Sequence, residues 1–204
     1  STSRHTLKTP VFMPVGTRGA VRTITSQDLE ELGADIVLGN TYHLMLRPGE
    51  ELIKKFKGLH GFSNWHRLIL TDSGGYQVFS LEPDVDDDGV TFKSTYDGSL
   101  HRLTPEKAVE IQNALGSDIQ MALDVCPPLP ADKEIIELAV ERTNSWALRA
   151  RKHFLKTSYD SPNQHAQFGI AQGGLDLNLR KKSAEQIVEI GFDGYAIGGL
   201  SVGE

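Results

Sequence analysis

About six short apolar runs punctuate this 204-residue chain, and nearly every one stops at a cluster of glycine and polar residues. The runs cover residues 11–15, 36–38, 68–70, 118–123, 166–170 and 194–197. Helical patterns fill most of the intervals, at 26–33, 49–59, 104–116, 132–153 and in the stretch that ends at Gly191. Thr104 followed by Pro105 reads as a cap with proline in the first turn, and Gly116 as a left-handed stop. Within 132–153, Ile135, Leu138, Ala139, Arg142, Trp146 and Arg149 recur at helical spacing. Alternation of strand and helix predicts a parallel α/β architecture. No Gly-x-Gly-x-x-Gly follows the first run, which disfavours an open dinucleotide-binding sheet. Polar clusters at strand ends instead suit a (β/α)8 TIM barrel, whose sites lie at the C-terminal face of the strands. Six strands fall short of eight, and barrels typically take ~250 residues. Residues 1–204 are therefore expected to be the N-terminal part of a single barrel domain. Residues 84–103 interrupt the alternation after the third strand and read as an inserted β-hairpin turning at Asp97-Gly98.

The third run carries the most chemistry. Leu70-Thr71 leads into Asp72-Ser73-Gly74-Gly75-Tyr76-Gln77. Glycines let a backbone approach a ligand closely, and an aromatic with an amide can stack on and hydrogen-bond a flat polar ligand. The same residues would also make an ordinary capped strand-to-helix turn. Asp124, before Cys126-Pro127-Pro128, can be a ligand-binding carboxylate or a turn cap. Gln172, before Gly173-Gly174, can read a ligand or be a polar loop residue. Asn40 and His43 close the second run, and His43 reads as an interior or helix-start histidine.

Net charge is −6, which by itself argues against a polyanionic partner. Basic groups at Lys54, Lys55 and Lys57, at Arg149, Arg151 and Lys152, and at Arg180, Lys181 and Lys182 fall mostly on predicted helices, where charge usually marks the solvated face. The single cysteine, Cys126, excludes an internal disulfide and a multi-cysteine zinc site within this chain, and fits a cytoplasmic setting. No apolar run reaches membrane-span length, so no membrane partner is expected. Asp84-Val85-Asp86-Asp87-Asp88-Gly89 opens like a calcium loop, but Thr95 stands where a glutamate is required; an acidic hairpin tip is the favoured reading.

FMPVGT, LGNTYHLMLRPG, LTDSGGYQVFSL, ALDVCPP, FGIAQGG and GFDGYAIGGLSVGE occur in order along nearly the whole chain. This set resembles the tRNA-guanine transglycosylase family, also called queuine tRNA-ribosyltransferases. The resemblance implies a pentosyltransferase of queuosine biosynthesis. It would replace guanine at wobble position 34 of GUN-anticodon tRNAs (the Asp, Asn, His and Tyr acceptors) with a 7-deazaguanine. It further implies a homodimer, and a zinc site whose ligands, like the nucleophilic aspartate, lie beyond Glu204. A fragment ending there would be inactive alone. Within this chain Asp72 matches the proton acceptor. Asp72, Ser73, Gly74, Gly75, Tyr76, Asp124, Gln172 and Gly199 match the substrate-binding set, with Asn40 near the ribose. No metal ligand or other cofactor is expected within residues 1–204. Asp124-Val125-Cys126 departs from the usual Asp-Glu-Cys. Cys126 and Ser201-Val202-Gly203 resemble bacterial members, which implies preQ1 as the incoming base in preference to queuine. The alternatives are a non-catalytic partner subunit of such an enzyme, or an unrelated barrel enzyme acting on a phosphorylated small molecule.

Overall fold

The computed structural model describes residues 4–81, 83–158, 165–200 and 202–203. In chain order the elements begin with α1 (Ser26–Glu31), β1 (Ile36–Gly39), α2 (Thr41–Leu46), α3 (Glu50–Lys55), α4 (Leu59–Ser63), β2 (Leu68–Thr71) and α5 (Gly75–Phe79). An antiparallel insert follows, made of β3 (Asp84–Val85), β4 (Val90–Lys93) and β5 (Leu100–Leu103). The alternation then resumes with α6 (Pro105–Leu115), β6 (Ile119–Met121), α7 (Lys133–Thr157), β7 (Ala166–Ala171), α8 (Leu177–Ile190) and β8 (Gly194–Ile197).

Strands β1, β2, β6, β7 and β8 form one parallel sheet in that spatial order. Spatial order follows chain order, with no reversal. A doubly wound sheet reverses at a switch point and takes helices on both faces. Here every crossover steps the same way, so all helices cover one face and the other turns inward, as in a (β/α)8 barrel. The pairing shows which residues face inward. Ile36 pairs with Leu68, Leu70 with Ile119, Met121 with Phe168, and Ile170 with Ala196. These residues share one apolar cluster. Val37 and Ile69, one position away, point to the opposite face and pack among helix residues such as Leu59, Ile111 and Leu115. The architecture is thus a partial barrel.

The N-terminal ends of the strands are closed by a polar knot. Asp118 accepts from the Ile69 N–H at 2.8 Å and the Arg4 Nε at 3.1 Å, and lies 3.0 Å from the His60 ring. It is buried, yet these donors hold its carboxyl below the usual range against the opposing push of burial.

Several boundaries differ from the sequence expectations. The run 11–15 makes only a single parallel bridge, Val15 with Leu38, because Pro14 has no N–H to extend a ladder. The helix expected over 49–59 is two, α3 and α4. Lys57 and Gly58 both adopt positive φ between them, and a Cβ on Gly58 would lie 2.9 Å from the Leu115 carbonyl. The insert has three strands rather than two, since Asp84 and Val85 pair with Thr91 and Val90. Helix α7 buries Ile136, Val140, Thr143, Ala147 and Phe154 with Ala139 and Trp146, while Ile135 and Leu138 are exposed. The buried stripe is turned by about one residue from the expected one.

The acidic tip is a bracket. Trp146 donates its indole N–H to the Asp87 carbonyl at 2.8 Å, Arg142 reaches the Asp87 carboxylate at 3.2 Å, and Arg102 pairs with Asp86 at 2.6 Å. The Trp146 and Arg142 contacts fasten the insert to α7, and the Arg102 pair ties the tip to β5 within the insert. Among the described residues no group of three or more potential ligands is placed to hold a metal ion.

Candidate active site

Each strand of the parallel sheet delivers a side chain or turn to one cavity of about 420 Å³ at the C-terminal face. From β2 come Asp72 to Tyr76, from β6 Asp124 and Cys126, from β7 Gln172, and from β8 Gly198, Gly199 and Leu200, with Val202 following. The floor is the inner-face set of Leu38, Leu70, Met121, Phe168 and Ile170. An apolar chamber with few converging polar groups is the usual form of a small-ligand site, and its volume lies in the usual range of about 300–1,000 Å³. All eight site residues expected from the sequence line this one cavity.

Asp72 is fixed by its neighbours. Its Oδ1 accepts from the Thr41 N–H at 2.8 Å and the Gly74 N–H at 3.1 Å, and its Oδ2 from the Asn40 amide at 2.5 Å. Asn40 also caps α2 by accepting the His43 N–H at 3.0 Å, so one amide ties a helix start to the carboxyl. Burial nevertheless dominates and pushes Asp72 up to about 7; the Thr41 and Gly74 N–H groups oppose the rise, and the charge of Asp124 adds to it. Ser73 turns the other way. Its hydroxyl accepts the Gly75 N–H at 3.2 Å and faces Asp124 at 3.4 Å. The capped-turn reading and the ligand-facing reading of this segment are therefore compatible: one carboxyl both ties the turn and lines the cavity.

Asp124 is buried and held by Gln172, whose amide donates to Oδ2 at 2.7 Å. Burial pushes its carboxyl up as well. Gln172 is in turn set by the Ser183 hydroxyl, which accepts its backbone N–H at 3.0 Å. Tyr76 is 60% exposed at the rim, a ring with an uncovered face. Cys126 is half-buried in the cavity wall; burial pushes its thiol up, with the Asp124 charge adding to the rise. Val125, at the departure from the usual Asp-Glu-Cys, is buried in the core, and its N–H is taken by Thr143 at 3.0 Å.

One organising residue escaped the sequence reading. Arg180 stands in a basic run expected to be a solvated face, yet only Lys181 and Lys182 are exposed. Its guanidinium donates to the carbonyls of Gly174 at 2.7 Å, Gly198 at 2.9 Å and Gly199 at 3.2 Å. It ties the β7 and β8 turns together. Arg151 departs likewise, buried and paired with Asp193 at 2.8 Å. The usable signal for Arg180 was its place on the first turns of a helix that starts just after Gly173-Gly174, beside the site. A zinc site finds no fit here, since the lone Cys126 lies in the cavity wall without clustered partners among the described residues.

A half-buried carboxyl, Asp72, and a buried one, Asp124, at the strand ends of one apolar chamber place this chain among barrel proteins with a ligand-sized pocket at the C-terminal face. The family model described as queuine tRNA-ribosyltransferase matches residues 1–204, and the chain belongs to that family. It is similar to the queuine tRNA-ribosyltransferase of Thermotoga neapolitana, 59% identical over 199 residues that cover 97% of this chain and 52% of that protein. It is likewise similar to proteins of that name in Bacillus licheniformis and in Caldanaerobacter subterraneus subsp. tengcongensis. Each is 53% identical over the whole of this chain, with 52% and 53% of those proteins covered. The chain spans about half the length of these relatives.

Proposed function

We propose that these residues form the base-binding half of a tRNA-guanine transglycosylase. The observation that carries the reading is the facing pair Asp72 and Asp124 within one chamber, the first with a carboxyl near neutrality. Base exchange breaks the bond between a purine nitrogen and the ribose anomeric carbon and forms the same bond to a new base. The departing guanine must gain a proton at that nitrogen, and the incoming base must lose one. A carboxyl with a pKa of about 7 can give and retake a proton at neutral pH, which suits Asp72 to both half-reactions. Asp124, acceptor-only when ionised, suits the N1–H and amino edge of a guanine-like base. Gln172 orients that carboxylate, the Gly198–Gly199 turn supplies backbone, and Tyr76 offers a ring to stack on. By the family resemblance, the group that attacks the ribose carbon lies outside residues 1–204.

The polynucleotide substrate is tRNA with guanine at wobble position 34 of a GUN anticodon, and the incoming base is preQ1 in preference to queuine. Val202 supports that preference, because its branched side chain lines the cavity and takes room that a bulkier substituent on the base would need. Homodimer formation, a zinc site beyond this chain and a cytoplasmic setting belong to the same reading. Incorporation of radiolabelled guanine into GUN-anticodon tRNA tests it, with the full-length protein and its Asp72→Ala variant. Exchange by the parent and none by the variant is expected. No exchange by a folded parent overturns the reading. Efficient use of queuine with no use of preQ1 would overturn the base preference alone.

A further inference from the structure

Beside the cavity, three segments far apart in sequence meet at one tyrosine. Tyr96, at the tip of the insert between β4 and β5, accepts a hydrogen bond from Arg18 Nη2 at 3.0 Å. The Arg47 guanidinium lies 4.8 Å from the centre of the Tyr96 ring, and that of Arg18 lies 5.6 Å away. His43 Nδ1 is 3.0 Å from the same hydroxyl. Arg67, Arg102, Arg142, Arg149 and Arg151 each hold a carboxylate. Arg18 and Arg47 are exposed, and among the described residues neither has a carboxylate within ion-pairing distance. The acid next to Tyr96 in sequence, Asp97, is turned into its own loop by the Ser99 N–H at 3.1 Å and hydroxyl at 2.6 Å, and Glu50, three residues after Arg47, pairs with Lys107 at 3.6 Å.

Two like charges converging on one ring with no counter-ion is an arrangement that costs energy unless an anion joins it. An arginine only donates, so Tyr96 Oη must be the acceptor from Arg18, and its own proton is free for His43 Nδ1. That leaves the His43 proton on Nε2. Burial first, and the Arg18 charge second, hold His43 below the usual imidazole range and so keep this neutral form. The cluster is also joined to the cavity: Tyr96 bonds His43, the His43 N–H bonds Asn40, and Asn40 bonds Asp72.

We propose that Arg18 and Arg47, splinted by Tyr96, form a phosphodiester clamp at the mouth of the cavity. It would take a backbone phosphate of the RNA next to the nucleotide whose base enters. Guanidinium forks match phosphate oxygens bidentately, and stacking on an aromatic ring pre-orients them. The proposal rests on the reading of the chain as an RNA-directed base exchanger, and it adds where the strand is held.

The test measures RNA-hairpin affinity against salt concentration and guanine affinity by calorimetry, for the full-length parent and the double variant Arg18→Gln/Arg47→Gln. The expected result is RNA binding weakened about tenfold or more at moderate salt, with guanine affinity unchanged. The plot of log affinity against log salt should be shallower by roughly 0.7 for each single-strand phosphate that the clamp no longer neutralises. Lys54→Gln/Lys55→Gln, which removes the same charge from the last turn of α3, should leave the slope as in the parent. Tyr96→Leu, which removes the splint but no charge, should weaken RNA binding by a smaller factor. Unchanged RNA affinity and slope in an arginine variant that still binds guanine would overturn the clamp and leave the exchange reading standing. Equal losses in the arginine and lysine variants would also overturn it. A parent that binds neither guanine nor RNA would sink the underlying reading.

Discussion

Gln172 donates its side-chain amide to Asp124 at 2.7 Å, joining the ends of β7 and β6 inside the cavity. Asp124 has one other side-chain donor, the Ser73 hydroxyl at 3.4 Å. Removing the amide leaves a buried carboxyl nearly without partners, so its proton is held more tightly. Gln172→Ala should lower guanine affinity by about 10–100-fold at neutral pH, the usual worth of a hydrogen bond to a charged group. Calorimetric titration of the base measures it.

Gly198 tests the same pair from the other side. A Cβ there would meet the Gln172 Nε2 at 2.5 Å and Ile170 Cγ2 at 2.7 Å. Gly198→Ala should therefore push the amide off Asp124 and raise KM for the base. Steady-state kinetics with varied guanine and saturating tRNA would show it. A KM equal to the parent's would mean that Gln172 does not act through Asp124.

Asp72 sets a pH dependence with a definite sign. Its folded-state value is raised from 3.8 to about 7, so the native state binds the extra proton between those limits. Its contribution to stability is full below the unfolded value and is lost as pH rises through about 7. The melting temperature of the parent should fall between pH 5 and pH 8 more steeply than that of Asp72→Asn, as thermal scans across that range would record. Base exchange should rise over the same range with an apparent pKa near 7, if the carboxylate is the form that takes the proton.

Asp118 behaves oppositely. Its carboxyl is held below 3.8 in the folded state, so its contribution is present at neutral pH and is lost as pH falls through that depressed value. Asp118→Ala takes the shared acceptor from the His60 ring, Arg4 and the buried Ile69 N–H, while His60 keeps the Arg67 carbonyl. The expected loss at pH 7 is about 1–3 kcal/mol, the cost of leaving a buried donor unsatisfied. Urea unfolding gives the value, with base affinity of the folded fraction unchanged.

Trp146→Phe removes the indole N–H to the Asp87 carbonyl and also shrinks a fully buried ring. A loss of about 2–3 kcal/mol is expected in urea unfolding, from the lost hydrogen bond and the cavity together. Calcium added to the parent should not raise its melting temperature, since Asp86 and Asp87 are already engaged by Arg102 and Arg142.

The sequence made the barrel legible because each strand end carries its own punctuation. Thr71-Asp72-Ser73-Gly74 announces both the end of β2 and the residues of the cavity. Local chemistry of this kind survives without knowledge of tertiary contacts. What depends on distant neighbours did not show. Arg180 resembles Lys181 and Lys182 in type, and only the approach of the Gly174, Gly198 and Gly199 carbonyls separates it from them. The buried stripe of α7 depends on which way the helix meets β7 and α8, and Ile135 and Ile136 are equally apolar candidates for it. The break between α3 and α4 depends on the close approach of Gly58 to the end of α6, far along the chain at Leu115.

The insert is fastened at both ends. At one, Trp146 takes the Asp87 carbonyl, which any residue could offer. At the other, Thr95 and Tyr96 bond Tyr42 and His43 of α2, whose cap Asn40 holds Asp72. A change at tip residues 94–99 therefore leaves the bracket on α7 in place but is felt at the cavity through α2. Tip and α2 form one inherited unit, and a graft of the tip between relatives would have to carry its α2 partners with it.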